Sequence, residues 1–201
     1  MRFVRVSFFV IVVLSGFVEG TAPYCHARGL PAQEGINNFA KVDDHLFRGA
    51  QPDTQAIKNL QKLGVKTIID LRLPDEVRKG EATDAQAHGI LYTNLPLRGL
   101  GRPAKEQAEL VLPMVESLPG PVFIHCRFGC DRTGMIVACY RIKHNNMALK
   151  NALQEAAKYG MFWFERGMKS YVRDFAQASV LLAKKPAPGT PAIPPIAASV
   201  Q

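Results

Sequence analysis

Pro121-Val122-Phe123-Ile124-His125-Cys126-Arg127-Phe128-Gly129-Cys130-Asp131-Arg132-Thr133-Gly134 is the stretch on which the fold turns. It opens as a short apolar run bounded by Gly120-Pro121, the pattern of a strand buried on both faces, and the chain after it reads as a helix over residues 133–145. A loop of this length between strand and helix can curl until successive backbone N–H groups converge on one point, where the helix N-terminus adds its partial positive charge. Such a cradle fits a dianionic phosphate. Cys126 at its floor is favoured as the thiolate, the reactive form. Arg132 at the far end can grip two phosphate oxygens with its planar fork, as a lysine could not. Gly129 lets the loop bend without a Cβ in the nest, and Thr133 can offer its hydroxyl to the sulfur when the sulfur has to leave.

Outward from that loop, strands and helices alternate. Residues 39–42 and 46–48 read as short strands around the turn-forming Asp43-Asp44. A helix follows, capped by Asp53, with Ile57, Leu60 and Leu63 at helical spacing and Gly64 ending it. Residues 66–71 form a β-branched run suited to a buried parallel strand, residues 75–88 a polar helix closed by Gly89, and residues 90–95 a further strand. An Arg- and Gly-rich loop over residues 97–102 precedes a helix that begins near Pro103 and carries the apolar stripe Leu110, Val111, Met114, Val115 and Leu118. Helices over residues 148–159 and 164–183 complete the pattern, with Phe162, Trp163 and Phe164 read as core. The expectation is an α/β fold: a central, mainly parallel sheet of four to five strands flanked by helices.

The two ends differ in character from this body. Residues 1–20 place Arg2 and Arg5 before an apolar stretch over residues 6–18, which reads as a secretory signal peptide and is short for a membrane span. Residues 21–34 read as a linker, residues 35–185 as one domain, and residues 186–201, with five Pro and no charge, as a disordered tail. The expected location is therefore outside the cytoplasm, periplasmic or secreted. With 47% hydrophobic and 21% charged residues in 201, the chain is neither a disordered polymer nor a polytopic membrane protein. Its net charge of +8 is spread out, with no run of five or six basic residues, so phosphate-bearing substrates are favoured over nucleic acid. Membrane association is expected only through an uncleaved leader or anionic lipid.

Residues 125–134 resemble the signature loop of the cysteine-based protein tyrosine and dual-specificity phosphatases. A second match supports this: Phe47-Arg48-Gly49-Ala50-Gln51-Pro52, then a helix, then Lys62-Leu63-Gly64-Val65-Lys66-Thr67-Ile68-Ile69-Asp70-Leu71-Arg72 is similar to the N-terminal half of compact atypical dual-specificity phosphatases. The resemblance implies hydrolysis of phosphate monoesters, of phosphotyrosine type and of phosphoserine or phosphothreonine, on phosphorylated proteins or small esters. Cys126 attacks phosphorus, a phosphocysteine forms and water releases phosphate, with no metal and no cofactor. Arg132 and Thr133 serve that chemistry. His125 orients the loop and assists thiolate formation, and Arg127, Phe128, Gly129 and Cys130 surround the substrate.

The family's general acid is usually an Asp on the loop after the preceding strand, and here the sequence departs. No Asp occurs between Leu91 and Gly120, where the carboxylates are Glu106, Glu109 and Glu116 on the expected helix. Asp131 lies within the loop itself. Phosphoinositide phosphatases of the myotubularin and Sac types are similar in carrying Cys-x-x-Gly/Cys-x-Asp-Arg-Thr, which makes Asp131 the first candidate. The alternative is that Asp131 pairs with Arg132 or a Lys and shapes the loop. Asp70 is a third option, read as structural beside Arg72.

Two other functions stay open beside the protein phosphatase. A phosphoinositide or inositol-polyphosphate phosphatase is suggested by Asp131 and by Arg98, Arg102 and Arg127 around the expected mouth. A phosphate-binding module without turnover is suggested by the absent upstream Asp. Among the four cysteines no disulfide framework or zinc spacing is read. Cys25 is expected outside the core and Cys139 buried, while Cys130 is placed to trap Cys126 as a reversible disulfide.

Overall fold

The computed structural model describes residues 29–184. The expected signal peptide, most of the linker, Cys25 and the Pro-rich tail lie outside those residues.

One sheet is built from β1 Ala40–Lys41, β2 Leu46–Ala50, β3 Thr67–Asp70, β4 Leu91–Asn94 and β5 Val122–Cys126. Their order is β1-β2-β5-β3-β4. All neighbours are parallel except β1, which turns back antiparallel on β2. Among the described residues six helices surround it: α1 Thr54–Lys62, α2 Glu81–Ala87, α3 Lys105–Ser117, α4 Asp131–His144, α5 Leu149–Lys158 and α6 Arg166–Lys184. This is the mainly parallel α/β arrangement that the alternation of strands and helices predicts.

The central position of β5 explains its composition. All five of its residues are buried, and strand alternation sends Val122, Ile124 and Cys126 to one face and Phe123 and His125 to the other. On the first face they share a core with Val111 and Val115 of α3, Ile136 of α4 and Met168 and Val172 of α6. On the second, Phe123 packs with Phe39, Phe47, Ile68, Ile57 and Leu60 of α1 and Ala85 of α2. Helix ends follow local chemistry. Asp53 accepts a hydrogen bond from Ala56 N at 2.7 Å at the start of α1, and Gly64 leaves its other end with φ +82°, in the left-handed region.

Two expectations are corrected. The helix expected over residues 75–88 is instead a single 3-10 turn, Pro74–Glu76, then α2, with Gly80 at φ +84° between them. Glu76 and Glu81 have different destinations, Arg132 for the first and Arg72 for the second. On one continuous helix they would diverge by roughly 140°, and the break lets both turn inward. The aromatic trio is also not core: Trp163 is 70% and Phe164 46% exposed. Polar contacts hold that loop by its backbone. Asp131 Oδ1 accepts from Phe162 N at 2.8 Å, and Lys169 Nζ donates to the carbonyls of Phe162 and Trp163.

Candidate active site

The carboxyl end of β5 delivers Cys126, α4 begins at Asp131, and residues 127–130 bridge them. Three successive carbonyls of this bridge are held from the N-terminal part of the domain. Arg127 O accepts from Gln51 N at 3.3 Å, Phe128 O from Asn38 Nδ2 at 3.0 Å, and Gly129 O from Arg48 Nη2 at 2.6 Å. In a planar trans peptide the N–H points opposite to its carbonyl. Pinning those three oxygens therefore turns the amides of Phe128, Gly129 and Cys130 the other way, which is how a loop becomes an anion nest at a helix N-terminus. Gly129 has φ +70°, and a Cβ there would lie 2.5 Å from the carbonyl carbon of Gly49 and 2.7 Å from Ala50 N.

Cys126 is a free thiol, buried at the foot of the loop. Arg132 is almost fully buried, and its Nη1 and Nη2 meet the two carboxylate oxygens of Glu76 at 2.5 and 3.2 Å. It also reaches the carbonyls of Leu71 and Leu97. Burial works against its charge, yet Glu76 and Cys126 outweigh burial and hold the guanidinium above its ordinary value. Burial would likewise raise the Glu76 carboxyl, but hydrogen bonds from Arg132 and Leu73 N hold it below the usual range. Asp131 moves the opposite way: burial lifts it, and the bond from Phe162 N offsets only part of the rise. Thr133 is buried, and its Oγ1 has no hydrogen-bond partner among the described residues.

His125 points to the opposite face from Cys126, into a charged cluster buried behind the loop. Its Nε2 stands 2.9 Å from Glu81 Oε1 and its Nδ1 4.0 Å from Asp70 Oδ1. Arg72 lies between these carboxylates, with Nη2 2.7 Å from Asp70 Oδ2 and 2.5 Å from Glu81 Oε2. Tyr92 donates to Asp70 at 2.7 Å. Asp70, Glu81 and His125 present ligand atoms close enough to hold a metal ion, but the Arg72 guanidinium already supplies the positive charge between the two carboxylates. Asp70 is thus structural beside Arg72, as its position at a strand end suggests.

The mouth is less basic than the sequence implies. Arg98, Arg102 and Arg127 are all exposed, but Arg102 is tied to Asp174 at 2.7 Å and to Ser170. Arg127 extends alongside the Phe128 ring, 5.2 Å from its centroid. Glu165 accepts from Gly101 N at 2.9 Å and fastens the residue 97–102 loop to the start of α6. Cys139 is buried as expected. The proposed Cys126–Cys130 trap is corrected: Cys130 is itself disulfide-bonded while Cys126 is free, so the chain does have a disulfide and the loop thiol is committed elsewhere. The sequence reading missed Glu76 and Glu81, hidden in an apparently solvated helix. Nothing local to Arg48 or Asn38 in the sequence marks either for the loop contacts they make.

Residues 31–174 match the family described as DSP-PTPase phosphatase fused to NAD+ kinase. The chain is 32% identical over 149 residues to the dual specificity protein phosphatase TpbA of Pseudomonas aeruginosa, covering 68% of this chain and 62% of that protein, less than two thirds of its length. It is 28% identical over 144 residues to inositol diphosphatase DSP5 of Arabidopsis thaliana, covering 69% of each. Among solved structures, P. aeruginosa TpbA superposes with a TM-score of 0.61 at 27% identity, covering 77% of this chain and 97% of that one. The core catalytic domain of the PP-IP phosphatase SIW14 from S. cerevisiae gives 0.64 at 19% identity, covering 77% and 93%, a likeness of fold.

Proposed function

This chain belongs to the DSP-PTPase phosphatases, and from that premise we propose that it hydrolyses phosphotyrosine-type monoesters, and phosphoserine or phosphothreonine esters, outside the cytoplasm. The observation that carries the reading is the loop: three carbonyls pinned outward, a free thiol at the foot and an arginine fork across from it. Cys126 Sγ attacks phosphorus in line with the ester oxygen, which leaves with a proton. Loop amides and Arg132 hold the three equatorial oxygens as their charge redistributes. Water then attacks the phosphocysteine, the thiolate departs with the Thr133 hydroxyl donating to it, and the water's proton returns to the acid.

The carboxyl that lends and recovers this proton is assigned to Asp131. Two carboxyls adjoin the phosphate loop, and their surroundings push them apart: Asp131 upward toward the protonated form, Glu76 downward toward the anion. Such divergence separates an acid from a charge partner. Export is supported by Arg2, Arg5 and the apolar residues 6–18 and by a disulfide at Cys130, a bond that persists in oxidising compartments.

A second reading, inositol-phosphate hydrolysis, is favoured by the exposed Arg98 and Arg127 and by relatives named inositol diphosphatases. Phe128 at the loop and the engagement of Arg102 by Asp174 favour the aryl ester. The test is phosphate release by the full chain from a phosphotyrosine peptide, a phosphoserine peptide, a phosphoinositide and an inositol diphosphate, each beside Cys126→Ser. Release lost in the variant supports the mechanism, and the order of rates chooses the substrate. Turnover undiminished by Cys126→Ser removes the mechanism. Recovery of the protein from the cytoplasm with Met1 intact overturns export.

A further inference from the structure

Two arginines, Arg48 and Arg72, are buried whole, each at 1% exposure or less. Their circumstances differ in one respect. Arg72 is neutralised by Asp70 and Glu81. Arg48, on the other face of the sheet, has no carboxylate partner among the described residues. One nitrogen, Nη2, donates to Gly129 O at 2.6 Å, while Nε and Nη1 have no hydrogen-bond partner among the described residues. The Tyr159 ring covers the guanidinium, with Cζ 3.9 Å from its centroid.

An uncompensated buried charge is a costly thing for a fold to carry. Burial pulls this guanidinium down to about 10, which still leaves it cationic at neutral pH. The titratable and charged groups that face it are Tyr159 and Glu155 from the α5 side, Arg141 of α4, and Cys126. Glu155 is spoken for by Arg141, at 3.2 Å, and Tyr159 offers the guanidinium the face of its ring. What remains is Cys126, which shares a face of β5 with Ile124, the residue paired with Arg48 across the β2–β5 register.

We propose that Arg48 is a positioning residue of the phosphate site, a cation behind the loop whose counter-charge is the Cys126 thiolate together with the phosphate it takes up. Its Nη2 also fixes the Gly129 peptide so that Cys130 N–H faces the anion. Arg132 and Arg48 then act from opposite sides of the loop, the first by contact and the second through its field and through the Gly129 carbonyl. Shielding by Tyr159 keeps that field from being screened by solvent. The proposal rests on the reading of residues 126–132 as the seat of a phosphocysteine.

The experiment uses the full chain with two substitutions: Arg48→Met, which keeps the apolar stem and removes the charge, and Arg48→Lys, which keeps the charge and loses the fork. The first readout needs no substrate: the rate of Cys126 alkylation by iodoacetamide, with Cys126→Ser as blank. Arg48→Met is expected to slow it roughly tenfold at about pH 6.5 and to approach the unsubstituted protein at about pH 9.5, where thiols in general are largely ionised. Arg48→Lys is expected to recover most of the rate at the lower pH and to lower kcat through the lost clamp on Gly129. A folded Arg48→Met protein that alkylates like the parent at the lower pH overturns the proposal, as does Arg48→Lys behaving like Arg48→Met. Should Arg48→Met fail to fold, Arg48→Lys decides: near-parental alkylation at the lower pH supports the field, and slow alkylation removes it. Normal alkylation behaviour with no phosphate release from any ester would instead retire the phosphatase reading and leave the placement of Arg48 standing.

Discussion

Glu76 and Arg132 meet through both carboxylate oxygens and both terminal guanidinium nitrogens, at 2.5 and 3.2 Å. The arginine that should grip phosphate is thus already holding an anion supplied by the residue 74–76 turn, and an incoming phosphate must share the fork or take it. Glu76→Gln keeps an acceptor for Leu73 N and removes the charge. A competing carboxylate near the surface is worth roughly 1 kcal/mol, or about fivefold in affinity, so orthophosphate should bind Cys126→Ser/Glu76→Gln about that much tighter than Cys126→Ser by isothermal titration. Equal affinity would mean that Glu76 stays beside the bound phosphate and acts by orienting Arg132.

The same pair has a pH signature. Glu76 titrates below its ordinary 4.5 in the folded protein. A depressed folded value contributes stability that is fully present above the unfolded one and is lost as pH falls through the folded one. The gap in urea midpoint between parent and Glu76→Gln should therefore be open at neutral pH and close in acid, below about pH 4.5. A gap that does not narrow in acid would assign the difference to packing.

Asp131→Asn separates the two tasks that Asp131 can have. Asn retains the oxygen that accepts from Phe162 N, so the tie to the loop before α6 survives while the proton is lost. Turnover of an alkyl phosphate, a poor leaving group, should fall on the order of a hundredfold, and that of an activated aryl phosphate by much less. Equal loss on both esters would leave Asp131 as a structural acceptor and the acid unassigned.

How far this site was legible before the fold was known follows from where its parts lie along the chain. Cys126, Gly129, Arg132 and Thr133 are consecutive with a strand and a helix, and local spacing was enough to place them on one strand-to-helix loop. The sheet was legible for the same reason, since short apolar runs alternating with helical periodicity leave few topologies. Glu76, Glu81 and Arg48 belong to distant segments, and only the pairing of β2 and β3 with β5 brings them to the loop. Nothing local marks Glu81 as buried, because its neighbours Ala82, Thr83 and Asp84 look solvated. Trp163 and Phe164 failed in the other direction: aromatic residues usually are core, and here polar ties to the backbone of their loop turn them outward.

Glu81→Gln tests the buried cluster behind the loop. Removing one member of a fully buried charged set costs on the order of 3 kcal/mol, because Arg72 loses a compensating charge in low dielectric. Urea denaturation should show a fall of that order, with part of the activity retained in whatever fraction stays folded, since Glu81 meets the loop at His125, on the opposite face from Cys126. A loss under about 1 kcal/mol would be the value of a solvated surface pair and would contradict the burial of Glu81 against Arg72.

Gly129→Ala asks how much of the catalysis is backbone shape. At φ +70° an L-residue is strained, and the added methyl would meet the Gly49 carbonyl carbon at 2.5 Å, atoms of β2 that are themselves fixed by pairing with β5. Neither strand can yield, so the loop must move, and with it the Gly129 carbonyl leaves Arg48 and the Cys130 amide leaves the nest. Losing one oriented donor to a developing phosphate charge costs about a hundredfold or more in kcat. Stability should fall by only about 1 to 3 kcal/mol, the usual range for strain at a single special backbone position. The decisive comparison is therefore kcat against thermal midpoint in the same protein: a large loss in the first with a modest one in the second identifies the loop as the catalytic device, whereas full activity in Gly129→Ala would mean that the nest tolerates a conformation other than the one described.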